Sequence, residues 1–236
     1  MKGWNWDGFW GYFLNVYLLE GALVTIALTV VGLVLGLIVG LVLAVMRMSS
    51  YPPLSILAQV YTWIFRGTPL LVQLVIIYTG LPQIHDSLRL DVMQSAVIGL
   101  VLNESAYLSE IIRAGIASVA KGQTEAALSL GLTRWRTFRL VVLPQAMRVI
   151  IPPLGNSVNG LLKATSIVSV ISMEELMRRG QILMQERFQV LEIFIVVAVL
   201  YLVMTTAWEL VQRRIEAHFG RGYGEHKIRT PARDDR

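Results

Sequence analysis

Long apolar runs separated by short polar segments dominate the pattern of residues along the chain. The clearest run, residues 21–46, contains no charged residue. As a helix it would extend about 39 Å, more than the ~30 Å hydrocarbon core of a bilayer. Four further runs follow at 67–84 (with an extension back to residue 58), 92–109, about 140–162 and about 190–211. The pattern predicts an all-α, polytopic membrane protein with about five transmembrane helices.

The first run also carries a stripe of small residues. Gly32, Gly36 and Gly40 recur every four residues, which places them on one face of a helix. Small residues at this spacing let two helix backbones approach closely in a membrane. We therefore expect this face of the first helix to pack against another helix.

The fourth run is the least regular of the five. Pro152 and Pro153 interrupt it, and a Gly-Asn-Ser sequence follows soon after them. Prolines inside a helix free backbone carbonyls, which a membrane tolerates only against protein or a water-filled cavity. The sequence therefore predicts a broken fourth helix that lines the interface with a second subunit.

Both ends of the chain differ from the membrane domain, which we place at residues 21–212. Residues 1–20 are rich in Trp, Tyr and Phe. Such rings favour the bilayer surface, so this part is expected to be an interfacial segment. The tail, 213–236, is expected to lie in the cytoplasm. From residue 220 onward it is polar and contains several glycines and a proline, which predicts an unstructured end.

Composition agrees with a membrane domain and excludes several classes of function. Of the 236 residues, 55% are hydrophobic and 16% are charged, whereas about a quarter are charged in a soluble domain. The absence of cysteine excludes disulfides and thiolate metal sites, and the three histidines are scattered. No nucleophile–base pair or metal cluster is predicted, so we do not expect an enzyme. The net charge of +5 does not indicate nucleic-acid binding, because the basic residues are not gathered on a polar domain.

Lysine and arginine are distributed unequally between the two sides of the predicted membrane. With the N-terminus outside, 15 of the 21 basic residues fall on the inner side and six on the outer side. Cytoplasmic loops of membrane proteins are enriched in Lys and Arg. The bias predicts an outside N-terminus and a cytoplasmic C-terminus, and it places the segment between the third and fourth runs in the cytoplasm.

That segment contains a basic helix–turn–helix pattern, EAALSLGLTRWRTFRLVVLPQA at 125–146. Gly131 can end a helix in the left-handed conformation, and Thr133 can cap the next helix. A basic amphipathic helix lying on anionic lipid would account for the arginines and aromatic residues. It would not account for Glu125 beside two alanines, which would offer a small, flat patch to a closely fitting partner.

The spacing of this segment resembles the EAA loop of ATP-binding-cassette importer permeases. Glu-Ala-Ala is followed by three residues, a glycine, nine residues and Val-Val-Leu-Pro, with Val141 in place of the usual isoleucine. In that family the loop is a coupling helix that seats in a groove of the cytoplasmic ATPase. The resemblance implies a cytoplasmic coupling loop at about 118–142, between spans 3 and 4. The ATPase-coupling residues that it implies are Glu125, Ala126, Ala127, Gly131, Leu143 and Pro144.

Three further segments resemble the polar amino-acid branch of the same family: FRGTPLLVQL (65–74), NESAYLSEIIRAGI (103–116) and LPQAMRVIIPPLGN (143–156). The resemblance covers about residues 20–212. It implies the permease subunit of an ATP-driven, binding-protein-dependent importer of polar amino acids in the bacterial inner membrane. The alternative is the same type of importer for another small solute; a passive channel would not carry an ATPase-docking motif.

The resemblance also implies the partners and the energy source. The chain has no Gly-x4-Gly-Lys-Ser/Thr sequence to hold nucleotide phosphates. ATP and Mg²⁺ are therefore expected on a separate cytoplasmic ATPase dimer, with no cofactor in this chain. Five spans would form half of a pathway, so a second permease, identical or a sister subunit, is expected. An extracytoplasmic substrate-binding protein completes the implied set.

Polar residues within the apolar runs are candidates for the substrate path, because such groups are costly in lipid unless they face a cavity or a partner. Asn103, Tyr107 and Glu110 share one helix face, and Glu104 lies about 100° away. An amino acid needs an acceptor for its ammonium group and donors for its carboxylate. The acidic face could provide the acceptor, and Lys163, with Thr165 nearby, could attract the carboxylate.

Structural roles are the alternatives for these residues. Glu104 could pair with a basic group on a neighbouring helix, such as Lys163, and Glu110 could pair with Arg113. Lys163 could instead extend to the water at the membrane surface. The Arg-Gly-Thr-Pro sequence at 66–69 is interpreted as a helix break at the start of the second span, with a capping role there. The alternative is that it braces the cytoplasmic side against the coupling loop.

Overall fold

The computed structural model describes residues 6–220, and the regular structure of this part is entirely helical. Short π-helical turns lie at Ile76–Gly80 and Phe138–Val142, and 3-10 turns at Asp86–Leu88 and Thr165–Ile171. The α-helices are α1 (Trp6–Phe13), α2 (Val16–Arg47), α3 (Pro52–Gly67), α4 (Leu70–Val75), α5 (Leu81–Ile84), α6 (Val92–Ala117), α7 (Lys121–Ser129), α8 (Arg134–Thr137), α9 (Leu143–Ala164), α10 (Leu176–Arg187) and α11 (Val190–Gly220).

Four helical segments of the described chain are long and apolar enough to cross a membrane, and a bent pair of helices supplies a fifth. The prediction of about five transmembrane segments is therefore confirmed. The four long segments are Gly8–Arg47, Val92–Ala117, Arg134–Ile171 and Val190–Phe219, and the bent pair is Pro52–Gly67 with Leu70–Ile84.

The glycine stripe of α2 packs directly against α6, as the four-residue spacing predicted. A Cβ built on Gly40 would lie 3.0 Å from Leu108 Cβ, 3.1 Å from the Ser105 carbonyl oxygen and 3.2 Å from the Ser109 amide nitrogen. Two of these three contacts are to backbone atoms, which cannot move aside as a flexible side chain can. The two helix axes can approach this closely only because α2 has no side chain at this position.

The two packed helices run in the same direction. Gly32 of α2 lies beside Leu100 of α6, and Gly40 lies beside Leu108, so the residue numbers rise together along the contact. The chain must therefore cross the membrane an odd number of times between α2 and α6. The bent pair α3 to α5 supplies this crossing.

The crossing is not one straight helix, which agrees with the helix break predicted at the Arg-Gly-Thr-Pro sequence, 66–69. The two halves meet at an angle of 104° at a break after Gly67. Pro69 has no amide hydrogen to donate to the carbonyl of Phe65, so the α-helical ladder cannot continue through it. Thr68 adopts an extended conformation there (φ −121°, ψ 146°) and ends α3.

Side-chain amides donate hydrogen bonds to the backbone carbonyls at the break. Gln73 Nε2 donates to the carbonyl oxygens of Phe65 and Thr68, each at 3.0 Å. Asn103 Nδ2 from α6 also donates to the Phe65 carbonyl, at 3.2 Å, and to Gln73 Oε1 at 3.1 Å. The backbone acceptor that Pro69 leaves free is thus satisfied within the protein.

The predicted break in the fourth span is absent. Helix α9 continues through Pro152 and Pro153 without interruption to Ala164. It runs antiparallel to α6, since Gly115 lies against Ile150 while Glu104 bonds to Ser157. The two prolines are adjacent, so the hydrogen bonds they remove fall within a single turn, and the helix extends more than two turns on either side.

Helix α11 packs antiparallel to α9 and approaches it closely at one glycine. Trp208 Nε1 donates to the Gly155 carbonyl at 2.8 Å, and a Cβ on Gly155 would overlap the side chain of Gln212. Together these directions place the C-terminal ends of α2, α6 and α11 on the same side as α7 and α8. Segments 85–91 and 172–189 lie on the opposite side.

A buried carboxylate joins three helices on that opposite side. Glu175 is fully buried; Tyr201 of α11 and Thr25 of α2 donate to its Oε2 at 2.8 and 3.2 Å. The Arg178 amide donates to Oε1 at 2.9 Å, so Glu175 also caps α10. Burial raises the pKa of Glu175, because the cost of desolvating the carboxylate exceeds the stabilisation by these donors.

The helices at both ends of the bundle extend beyond residues 21–212. Helix α2 begins at Val16, because the Asn15 side chain accepts from the Tyr17 amide and caps it. Helix α1 packs on α11 through the buried Phe9, while Trp6 and Trp10 stay exposed. At the other end α11 continues past 212 to Gly220. Residues 1–5 of the interfacial segment and 221–236 of the tail lie outside the described residues.

We expect Gly40→Ala to destabilise the protein. A methyl group forced against backbone atoms costs about 1–3 kcal/mol, more than the ~1 kcal/mol that alanine gains over glycine in a helix. The matched control is Gly160→Ala in α9, where an added Cβ has no neighbour within 4 Å. Thermal melting in detergent should show that Gly40→Ala has a lower melting temperature than the unmodified protein. The control should show no decrease. Equal melting temperatures would contradict the close α2–α6 contact.

Candidate functional site

Helices α7 and α8 form an elbow, in which Gly131 follows the end of α7 and Thr133 caps the start of α8, as predicted. Gly131 has φ +83°, in the region that favours glycine, and its amide donates to the Leu128 carbonyl at 2.9 Å. The Thr133 hydroxyl accepts from the Arg136 amide at 3.4 Å and caps α8. Both predicted roles are confirmed, and the elbow has a fixed shape.

The exposed face of α7 differs in part from the predicted contact patch. Glu125 and Ala126 are exposed, and Leu130 at the tip of the elbow is 85% exposed. Ala127, in contrast, is only 5% exposed and packs against its own chain. On a helix, consecutive residues point about 100° apart, so Ala126 and Ala127 cannot share one flat face. In the single chain Ala127 therefore does not share the exposed face of α7 with Ala126.

An aromatic pair and several arginines continue the elbow's surface. Trp135 is 67% exposed and stacks on Phe138 with ring centroids 6.1 Å apart. Arg134, Arg136 and Arg139 are exposed beside them. The elbow therefore presents a carboxylate and a small residue on α7 and a basic, aromatic surface on α8.

A π-helical turn links this elbow to α9. The Leu143 amide donates to the Phe138 carbonyl five residues back, immediately before Pro144. The same arrangement occurs before Pro82, where the Leu81 amide donates to the Ile76 carbonyl. In both places the proline ring would collide with the carbonyl four residues earlier, and a wider turn relieves the collision.

Leu143 and Pro144 lie at this first turn of α9, beside the end of α11. With Met147 and Arg148 they face His218 and Phe219 across a groove of about 450 Å³. The structure thus places them against α11 and not on the exposed face of α7 with Glu125. They form the start of α9, directly after the π-helical turn that follows the elbow.

Three of the predicted path residues face the break between α3 and α4. Asn103 bonds to the Phe65 carbonyl and to Gln73, and the Tyr107 ring lies 5.5 Å from the Arg66 guanidinium. Tyr107 remains 41% exposed. The predicted common face of α6 is confirmed, and its neighbour is the Arg-Gly-Thr-Pro segment.

Glu110, the third residue of this face, is the centre of an ion cluster. It accepts from Arg113 Nη2 at 2.5 Å and from Arg47 Nη1, and Arg66 Nη1 lies 4.0 Å away. The predicted pairing with Arg113 is confirmed. Arg47 and Arg66 join the pair from α2 and α3, which the sequence did not indicate.

Glu104 points to another side of α6, toward α2 and α9. It is 7% exposed, and the Ser157 hydroxyl donates to its Oε1. Within residues 6–220 it forms no ion pair, so the alternative of a Glu104–Lys163 pair is not realised in the single chain. Ser157 is a partner that sequence reasoning missed.

Lys163 and Thr165 occupy opposite environments at the end of α9. Lys163 is exposed and lines a cavity of about 300 Å³ with Ser166 and Tyr201. Thr165 is fully buried, and its hydroxyl donates to the Leu162 carbonyl at 2.8 Å. In the single chain Thr165 is therefore part of the helix packing, and its hydroxyl is not exposed to solvent.

One signal in the sequence could have found the missed residue Gln73. A proline frees the carbonyl four residues before it, so Pro69 calls for donors near Phe65. Gln73 is one helical turn beyond the proline and supplies them.

In the described part of the chain, no three His, Asp or Glu side chains gather into a metal site.

Comparison with known proteins agrees with this architecture. The sequence pattern of a family described as the binding-protein-dependent transport system inner membrane component matches residues 32–221. The chain therefore belongs to this family. It is a multi-pass permease subunit of the inner membrane, and the prediction of a transport subunit in place of an enzyme is confirmed.

Individual relatives and one solved structure are amino-acid transporters or their permease subunits. The arginine transport system permease protein ArgU of Corynebacterium glutamicum is 41% identical over 233 residues, 94% of this chain and 74% of its own length. The glutamine transport system permease protein GlnP of Escherichia coli is 43% identical over 159 residues, 67% of this chain and 73% of its own length. A crystal structure of an amino acid ABC transporter with histidines superposes with a TM-score of 0.85 at 37% identity, covering 92% of this chain and all of that one.

Proposed function

We propose that this permease subunit serves an ATP-driven importer of polar amino acids. The observation that carries the proposal is the identity of 41% to an arginine permease over nearly the whole chain. The structural likeness to an amino acid ABC transporter supports the same class of solute. An importer of the same type for another small solute is the alternative.

The exposed face of the α7–α8 elbow is the proposed docking site for the ATPase. Its shape is fixed by Gly131 and Thr133, and the exposed Glu125 and Ala126 provide a charge beside a small residue. Because α7 follows α6 directly and α8 continues into α9, a push on the elbow would be transmitted to two membrane helices. Leu143 and Pro144 would transmit this movement to α9 without contacting the ATPase.

The remaining partners follow from this assignment. Mg²⁺ and ATP would be bound by a cytoplasmic ATPase dimer. A second permease, identical or a sister subunit, would complete the pathway, with α9 at the interface. A substrate-binding protein would deliver the solute to the side that holds segments 85–91 and 172–189. The elbow and the end of α11 would then be cytoplasmic, and the N-terminus would be outside.

For the substrate path we retain the residues that stay accessible. Tyr107 and Lys163 are exposed in the single chain and can face a second subunit or a solute. Asn103 and Glu110 would position this surface through their contacts with α3. The burial of Glu104 and its bond to Ser157 support a structural role.

The docking proposal predicts that Ala126→Arg uncouples ATP hydrolysis from uptake or releases the ATPase, because a long charged side chain would stand on the contact face. Gly131→Val should act in the same way, since a β-branched residue is strained at positive φ. The permease should be reconstituted with its copurifying ATPase and binding protein, and both activities measured.

Conservative changes at the same positions are the controls. Ala126→Ser stays small, and Gly131→Asn tolerates the left-handed conformation, so both should retain most of the uptake. Normal coupled uptake by Ala126→Arg and Gly131→Val would remove the elbow from the docking site.

Single cysteines test the proposed orientation, because the chain has none of its own. Ser87→Cys and Ser129→Cys both create exposed thiols, on opposite sides of the helical bundle. A membrane-impermeant maleimide added to intact cells should label the thiol at 87 and should label the thiol at 129 only after lysis. The reverse pattern would invert the orientation.

Glu104→Gln separates a structural role from a role in charge selection. Glutamine keeps the shape and an acceptor for Ser157, so we expect arginine and glutamine uptake to change by the same factor. Were Glu104 in the path, losing a charge-assisted hydrogen bond would weaken arginine uptake selectively, by roughly 10- to 100-fold. Uptake of both amino acids, with melting of the purified complex, distinguishes these outcomes.

A further inference from the structure

A cationic groove lies between the C-terminal end of α2 and helix α3. It has a volume of about 630 Å³, and its lining includes Arg47, Gln59, Thr62, Trp63, Arg66 and Glu110. With the adjoining Arg113, three guanidinium groups surround the single carboxylate of Glu110. Three positive charges from the arginines against one negative charge from Glu110 leave the cluster with an excess of two positive charges.

Arg66 is the guanidinium most available to a ligand. Its side chain is 43% exposed, against 19% for Arg47 and 33% for Arg113. It lies 4.0 Å from Glu110 and faces the Tyr107 ring at 5.5 Å, and within residues 6–220 it donates no hydrogen bond. The rigid fork of an arginine matches the paired oxygens of a phosphate or carboxylate group.

The surface beside the groove is apolar. Ile56, Val60 and Trp63 recur at helical spacing along α3, and all three are exposed, Trp63 by 76%. The indole ring is typical of the level where lipid headgroups meet acyl chains. A ligand that fits both features has an anionic head for the arginines and hydrocarbon chains for the strip.

We propose that this groove binds the phosphodiester headgroup of an anionic phospholipid, with Arg66 as its main contact and the α3 strip against its acyl chains. A soluble phosphate compound shares the headgroup chemistry but would leave the apolar strip without a ligand. The site is separate from the ATPase-docking elbow, but Arg66 faces Tyr107 of the proposed substrate path. Melting temperature and retained lipid report on lipid binding without a transport assay, so a failure of the lipid proposal is distinguishable from a failure of the proposed function.

The test is the melting temperature of the purified full-length permease in detergent, titrated with lipid at constant ionic strength. Dioleoylphosphatidylglycerol should raise it in a saturable manner. Dioleoylphosphatidylcholine, with the same chains and phosphodiester but no net charge, should not, and neither should inorganic phosphate. Native mass spectrometry should show phosphatidylglycerol retained by the unmodified protein.

Variants locate the site. Arg66→Gln should weaken the phosphatidylglycerol midpoint by about tenfold or more, through loss of charge-assisted hydrogen bonds. Arg66→Lys, which keeps the charge without the fork, should weaken it less. Arg89→Gln removes an exposed arginine on the other side of the bundle and should leave the midpoint unchanged.

Three results would overturn the proposal. Equal stabilisation by inorganic phosphate would mean a site for soluble anions. An equal loss in Arg66→Gln and Arg89→Gln would mean general charge attraction. The third is that phosphatidylglycerol does not raise the melting temperature and no lipid is retained in native mass spectrometry.

Discussion

The close contact between the glycine face of α2 and helix α6 is the constraint on which the rest of the structure depends. Backbone atoms of α6 occupy the space that a side chain at Gly40 would need. Because the two helices run in the same direction, the chain must return across the membrane between them. The bent pair α3 to α5 supplies that return, and α7 and α8 lie on the side where α2, α6 and α11 end.

Polar side chains lie where this arrangement of helices leaves a backbone carbonyl or a buried charge in need of a hydrogen-bond partner. Gln73 and Asn103 supply the donors that Pro69 removes, and Glu175 collects donors from three helices. These three polar residues therefore hold the helices together. Of the residues predicted to line the substrate path, only Tyr107 and Lys163 are exposed in the single chain.

Local rules predicted much of this structure. Four-residue glycine spacing predicted the α2 contact, and Gly131 and Thr133 predicted the elbow, because each feature depends on a few neighbouring residues. The Arg-Gly-Thr-Pro sequence predicted a helix break at 66–69, but not the bonds from Gln73 and Asn103 that stabilise it. The unbroken α9 through Pro152 was not predicted either. A proline's effect depends on which side chains from other helices can replace its lost hydrogen bond. The burial of Ala127 and Thr165 likewise depends on tertiary packing that a single sequence does not display.

A photo-crosslinking experiment tests most directly whether the α7–α8 elbow is the surface that couples this permease to its ATPase. A photoreactive phenylalanine analogue would replace Leu130 at the elbow or, as a control, Ile84 on the opposite side. The two residues are similarly exposed, at 85% and 76%. Irradiation of membranes should link the ATPase to position 130 and not to position 84. Absence of the product at 130, or equal yields at both positions, would contradict the assignment.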